Sequence, residues 1–310
     1  MKGREIMEWI DSLQKAIEYI EVHLTDRIDY DEIAKQGFSS TFHFQRVFSI
    51  LCGYTLGEYI RKRRLTLAGK ELLSGNQKII DIALKYGYEN PDSFSRAFFK
   101  FHGINPSEIK GNNASLKSFQ PLKLKISLKG GESMDYRIEE KSDMILVGYK
   151  QRFNGVPFGK QRAEQEEKMF TTTRAKQWLL RGAASDYYTD YCVIQNIDDY
   201  GYDFFIANEL NKWTRENFYN KEVTGVDFMS KMNFEEIIIP KQKYVVFETK
   251  HCSHPIEEYI DIRQNLVTDW MPSSGYQFSS NLELVLLHWR PLSDRNNRFV
   301  EICIPIENLR

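Results

Sequence analysis

The sequence predicts a two-part chain: an all-α segment holding two helix-turn-helix units, followed by an α+β segment built on an antiparallel sheet. Three observations carry this. Residues 31–60 recur, with substitutions, at 80–109; helical spacing of apolar residues runs through the first 110 positions; and from about residue 135 the pattern turns to alternating strands. The expected division is 1–110 for the helical part, 111–134 for a linker and 135–310 for the second domain.

Ile6, Trp9, Ile10, Leu13, Ile17, Ile20 and Leu24 mark an amphipathic first helix. The repeat then begins. Ile33-Ala34 matches Ile82-Ala83, and Phe44, Arg46, Phe48, Gly53 and Glu58 match Phe94, Arg96, Phe98, Gly103 and Glu108. In the first copy Tyr30–Gln36 reads as a short helix, Gly37 breaks it, and Ser39 or Ser40 caps the next. That next helix buries Phe44, Val47, Phe48 and Leu51, which leaves Gln45 and Arg46 facing outward. In the second copy Asn90 caps and Pro91 occupies the first helical position, where its missing N–H costs little. Phe94, Ala97, Phe98 and Phe101 form the stripe, with Asp92, Ser93 and Arg96 outside.

Between the copies, 55–74 has helical spacing in Leu56, Ile60, Leu67 and Leu72. A helix of about 20 residues spans about 30 Å, close to the roughly 34 Å between successive major grooves on one face of B-DNA. Such a rod can hold two recognition helices in adjacent grooves. Arg61, Lys62, Arg63 and Arg64 on it are able to neutralise phosphates. The net charge of −1 conceals a matching polarity: residues 39–110 carry 11 Lys/Arg against 6 Asp/Glu, and 134–310 carry 22 against 27. A near-neutral total therefore does not argue against nucleic acid.

After the Gly-, Asn-, Ser- and Lys-rich stretch 111–134, with an extended piece expected around 122–128, strands dominate. Ile145, Val147 and Tyr149 alternate, as do Val245 and Phe247. Helices are expected at 160–181 and 255–270, each followed by two strands: 191–197 and 202–206, then 283–289 and 298–305. The second domain thus reads as a duplicated strand-helix-strand-strand unit, with a cleft between its halves suited to a ligand. Glu283 shares a strand face with Val285, Leu287 and Trp289, an acidic group on an apolar face. The alternative is an exposed first residue of its strand.

Other chemistry is missing. His251 and His254 flank Cys252 in an isolated HCSH that reads as a solvated loop, Gly159-Lys160 follows no glycine-rich loop, and no serine nucleophile elbow occurs. The expectation is no enzyme, no metal and no cofactor. No run approaches the roughly 20 apolar residues of a membrane span, the first residues lack a signal-peptide core, and four scattered cysteines form no CxxC pair. A cytoplasmic protein without a membrane partner is expected.

The run IIDIALKYGYENPDSFSRAFFKFHGINPSEIK (79–110), with FHFQRVF (42–48) in the first copy, resembles the DNA-binding domain of AraC/XylS-family regulators, the first unit being of the Rob type. The closing aromatic-Arg of the family pattern is replaced by Ile109-Lys110. The resemblance implies that Thr41, Phe42, Gln45 and Arg46 present to one groove of double-stranded DNA, and Asn90, Asp92, Ser93 and Arg96 to the next. Arg and Gln suit guanine and adenine; Phe42 packs on a thymine methyl or inside the fold; Asp92 reads cytosine or caps its helix. Segments DWMPSSGY (269–276), LELVLLHW (282–289) and EICIPI (301–306) resemble the GyrI-like small-molecule-binding domain, with 198–235 as unaligned extra length. That resemblance makes Glu283 the pocket carboxylate for a cationic lipophilic effector, with Trp270 and Tyr149 as ring faces and Glu301 as a second carboxylate. It also implies a transcription activator that recruits RNA polymerase. The competing readings of the second domain are a hydrolase using Glu283 as base and a protein-interaction module.

Overall fold

The computed structural model describes residues 2–308 except 37–39, 76, 110–114, 124–134, 219, 221, 223, 224 and 267–269, and it divides into two compact units, 1–128 and 129–310. Gly37, Ser39 and the expected extended residues 124–128 fall outside the described residues, as do the side chains of Ile6, Trp9 and Ile10.

The first unit is helical: α1 (Lys2–Val22), α2 (Tyr30–Gln36), α3 (Thr41–Cys52), α4 (Leu56–Ser74), α5 (Ile79–Lys85) and α6 (Pro91–His102). It has two apolar cores. Leu13, Ile17, Ile20 and Leu24 of α1 meet Ile33, Phe44 and Phe48, and α4 adds Leu56, Tyr59 and Ile60. In the second core Leu65, Ala68 and Leu72 of α4 meet Ile82, Ala83, Phe94 and Phe98. One helix thus serves both cores, and Leu67 at its middle packs against each.

The duplication extends to the helix ends. The Ser40 hydroxyl accepts from the His43 N–H at 3.3 Å, and Asn90 Oδ1 accepts from the Ser93 N–H at 2.8 Å. Helices α3 and α6 both stop on a left-handed glycine, Gly53 at φ 72° and Gly103 at φ 85°, whose N–H groups close on Ser49 O and Phe99 O. A side chain at either position would be strained.

Two expectations are corrected here. Stretch 111–134 is not linker throughout: Phe119 stacks edge-on against Tyr54 and Tyr59, its N–H donates to Thr66 Oγ1 at 3.0 Å, and the Leu122 N–H donates to the Tyr59 hydroxyl at 3.3 Å. The aromatic and apolar side chains in this stretch bury against α4, where its polar composition suggested solvent. Nor is the basic run a phosphate clamp. Arg63 donates to Glu21 through Nε (2.8 Å) and Nη2 (2.7 Å), and Arg64 donates to the carbonyls of Leu24 (2.8 Å) and Asp26 (2.7 Å). Lys62 pairs with Glu58 at 2.7 Å, while Arg61 is half-buried. Consecutive helical residues point about 100° apart, so four in a row cannot share one face.

The second unit contains β1 (Tyr136–Lys141), β2 (Met144–Asn154), α7 (Gly159–Thr172), α8 (Arg174–Ala183), β3 (Thr189–Gln195), β4 (Gly201–Asn208), α9 (Lys212–Phe218), α10 (Phe228–Met232), β5 (Glu235–Ile239), β6 (Gln242–Glu248), α11 (Ile256–Asn265), α12 (Met271–Ser274), β7 (Tyr276–Phe278), β8 (Glu283–His288) and β9 (Phe299–Asn308). The strands run antiparallel in the order β1-β6-β9-β8-β3-β4-β2-β5, with β7 beside the end of β9. The expected duplication holds: in β2–α7/α8–β3–β4 and in β6–α11–β8–β9, the first strand pairs with the last. The halves meet where β3 pairs β8, Ile194 opposite Glu283. Strands β1 and β5, unforeseen in the sequence, cross over so that each half lends its outer strand to the other.

The single helix expected at 160–181 breaks at Thr173 (φ −115°, ψ 21°). Thr171, Thr172 and Thr173 each return a hydroxyl to a carbonyl four residues back, at 2.8, 2.7 and 2.6 Å. Such back-bonding by β-branched residues bends helices. The unaligned length resolves into β4, then α9 and α10 on the way to β5. Among the described residues no helix is long and apolar enough to cross a membrane.

Arg63→Ala should leave the Glu21 carboxylate, 20% exposed, without its chelating guanidinium. Urea denaturation of the full chain should show a loss of about 3 kcal/mol, the range for breaking a largely buried pair; an unchanged midpoint would mean the pair contributes nothing.

Candidate functional sites

Two sites stand out, one in each unit. In the first, α6 presents Asp92, Arg96, Phe99 and Lys100 on its exposed side, with Ser93 half-buried beside them. Their spacing of three and four puts them along one face. Phe99 and Lys100 were missed in the sequence, although Lys100 lies one turn from Arg96. Asn90 is committed through Oδ1 to the start of the helix, and the Ser93 hydroxyl donates to Asn90 O at 2.9 Å.

Helix α3 does not mirror this. Thr41, Phe42 and Gln45 are half-buried, and the Thr41 hydroxyl donates to the Asp31 carboxylate, tying α3 to α2. Arg46, expected outside like its counterpart Arg96, is only 7% exposed. It lies close enough to His43 to act on its charge. Burial first, and then the positive charge of Arg46, hold the His43 imidazole down to about 4. Residues 43 and 46 are one helical turn apart, so burying one ring carries the neighbouring guanidinium inward with it.

The second unit holds a cavity of about 650 Å³ between the sheet and helices α7, α8 and α11. Val285, Leu287 and Val300 of β8 and β9 form its apolar floor, and Phe158, Phe170, Trp178, Tyr259 and Trp289 supply rings. Arginines 162, 174, 181, 263 and 298 also line it, together with two carboxylates among the described residues, Glu166 and Glu167.

Of the four residues expected around an effector, none lies on the cavity wall among the described residues. Glu283 is on the expected face, under Val285 and Leu287, and its side chain is 3% exposed behind two guanidiniums. Arg162 Nη1 donates to Oε1 at 3.1 Å and Arg263 donates to Oε2. Both arginines also donate to Pro157 O, at 2.9 and 2.8 Å, and Arg162 reaches Glu166 and the Tyr259 hydroxyl as well. Against the burial penalty, the negative charge around Arg162 holds it well in its charged form. Glu283 therefore meets positive charge within the protein, which corrects its assignment as an open counter-charge for cations.

The other three sit elsewhere. Tyr149, buried on β2, shares a 2.6 Å hydrogen bond with the Thr173 hydroxyl, and burial pushes its phenol up to about 12. Trp270 stacks with Tyr276 and meets Tyr136 and Phe247 edge-on. Glu301 is paired across the sheet with Leu286, on the opposite face from Val300 and Ile302. Burial raises the proton affinity of Glu301, but hydrogen bonds from His288 and Arg137 outweigh it and hold the carboxyl at about 2. Strand alternation alone would have placed Glu301 correctly, one residue out of phase with the cavity floor.

Glu283→Gln should leave two buried guanidiniums with one carboxylate between them. A loss of about 3 kcal/mol in chemical denaturation is expected; a neutral or stabilising result would mean that the network does not hold the second unit together.

Residues 33–112 match the family described as a helix-turn-helix domain. Over 95 residues the chain is 43% identical to the HTH-type transcriptional activator AarP of Providencia stuartii, covering 31% of this chain and 70% of AarP. Over 98 residues it is 37% identical to the regulatory protein SoxS of Escherichia coli K12, covering 32% of this chain and 92% of SoxS. A solved structure of SAV2435 bound to tetraphenylphosphonium is 14% identical at a TM-score of 0.42, covering 57% of this chain and 96% of SAV2435. With the duplicated, capped helix pairs described above, the likenesses to AarP and SoxS establish that the chain belongs to the AraC family of helix-turn-helix transcription regulators.

Proposed function

We propose that the chain is a ligand-responsive activator: α3 and α6 read adjacent major grooves of one duplex, and a lipophilic effector occupies the cavity of the second unit. The observation that carries the first part is the sharing of α4 between both cores. Its 19 residues span about 28 Å, near the groove repeat of about 34 Å. A monomer can then span two grooves. The division into 1–110, a connecting stretch 111–134 and 135–310 serves this reading, although part of the connecting stretch packs on the helices. Activation is supported by the likeness to AarP, a transcriptional activator, and recruitment of RNA polymerase belongs to the same proposal.

On α6, in this reading, Arg96 donates to guanine, Lys100 to a phosphate, and Asp92, near the positive helix start, accepts from cytosine. On α3, Thr41, Phe42 and Gln45 are the readers. Arg46, being buried, has no base contact in this reading. Arg61, half-buried on α4, is the contact to the backbone in this reading. The cavity's volume falls within the roughly 300–1,000 Å³ of small-molecule sites, and its apolar floor and rings support a lipophilic occupant. The hydrolase alternative loses its base, because Glu283 is held by two arginines behind the wall.

Selection of bound duplexes from a random pool should enrich two short motifs about one helical turn, roughly 10 base pairs, apart. Gln45→Ala should relax one motif and Arg96→Ala the other, each by about 1–3 kcal/mol. Uniform weakening across sequences would reduce these residues to phosphate contacts, and no enrichment by the wild type would overturn the reading.

A further inference from the structure

We propose that the cavity selects a lipophilic anion, an aryl carboxylate or sulfonate, with its acid group against Arg298 and its rings over the floor of β8 and β9. This rests on the reading of the cavity as an effector site and goes further, because it names the charge the site requires. That charge is opposite to the one expected from Glu283 alone.

Most charges on the cavity wall are matched within the protein or exposed at its edge. Arg162 and Arg263 are matched inside the protein by Glu166 and Glu283. Arg181 chelates the fully buried Asp190, whose carboxylate also accepts from Trp289 Nε1 at 2.8 Å and from the Asn208 amide at 3.1 Å. Arg174 and Glu167, of opposite sign, are both exposed at the rim. Arg298 is what remains. Among the described residues no carboxylate lies within 4.0 Å of it; its Nη2 donates weakly to Arg290 O at 3.3 Å. Its Nε is buried and has no hydrogen-bond partner. The guanidinium carbon sits 5.8 Å from the centre of the Trp289 ring, which Arg181 also approaches at 5.3 Å.

A half-buried guanidinium with an unmet N–H, on the wall of an apolar cavity, is costly as it stands. A carboxylate in the cavity neutralises that charge and can accept from the guanidinium's Nη donors, and Arg is the side chain suited to it. A cation in the same space would add to an unneutralised positive charge where water screens it least. Val285, Leu287, Val300 and Phe170 then cover the apolar body of the ligand.

Three probes of nearly one shape separate charge from apolar fit: biphenyl-4-carboxylate, biphenyl-4-carboxamide and biphenyl-4-ylmethylammonium, titrated into the full chain and followed by tryptophan fluorescence and calorimetry. The carboxylate should bind at least about tenfold more tightly than the amide, a difference of about 1.4 kcal/mol, and the ammonium more weakly than both. Arg298→Met, which keeps the apolar stem, should bring the carboxylate to about the level of the amide in the same variant, with an unchanged far-UV circular dichroism spectrum serving as the check that the variant is folded. Equal binding of all three, or tightest binding of the ammonium, would overturn anion selection and leave the effector cavity standing. Should none bind below about 1 mM, the effector reading falls and the inference with it.

Discussion

Helix α4 has to satisfy two apolar cores at once, and that requirement fixes the geometry of the whole helical unit. Its first half is buried with α1, α2 and α3, its second half with α5 and α6. Helices α2 and α5 have seven residues each, well below the roughly 12–15 at which isolated helices become even marginal in water. They exist because helices α3, α4 and α6 pack against them. A rotation of α4 would expose apolar surface in both cores together. The Arg63–Glu21 chelate pins α1 to the middle of α4, and Arg63 also reaches the carbonyl of Phe119, so the stretch beyond α6 is tied to the same helix.

The second unit is governed by a different requirement, the pairing of buried charge. Carboxylates at 166, 190, 283 and 301 are withdrawn from solvent, and each is met by arginine, with His288 adding to Arg137 at Glu301. Such pairs contribute little net stability compared with apolar packing, yet losing one member is expensive. They hold α7 and α11 onto the same sheet face, which keeps the cavity open between them. The crossing of β1 and β5 gives each half an outer strand drawn from the other, so the two halves of the cavity wall cannot separate without breaking ladder hydrogen bonds.

Much of this was legible in the sequence because it is local. The caps at Ser40 and Asn90, the glycines that end α3 and α6, and the strand pairs of both halves of the sheet follow from spacing within a few residues. What was not legible lies in contacts between distant residues. Arg63 and Glu21 are 42 positions apart, and Arg162 and Glu283 are 121 apart. Sequence pattern therefore shows an outward basic run and an open acid where the fold has closed pairs. The arginines of the cavity were missed for the same reason: they come from α7, α8, α11 and the start of β9, and only the fold brings them together. The inward turn of Arg46 has no sequence signal, since its counterpart Arg96 occupies the same place in the repeat and is exposed.

The central claim is that α3 and α6 are rigidly coupled through α4. The most direct measurement is the affinity of the full chain for a duplex carrying both motifs, compared with one whose spacer is lengthened by about five base pairs, half a helical turn. A rigid strut predicts that the insertion lowers affinity to that of a duplex with a single motif, because the second groove is rotated to the far side. Equal affinity for the two duplexes would contradict the account, showing that the two helix pairs move independently of α4.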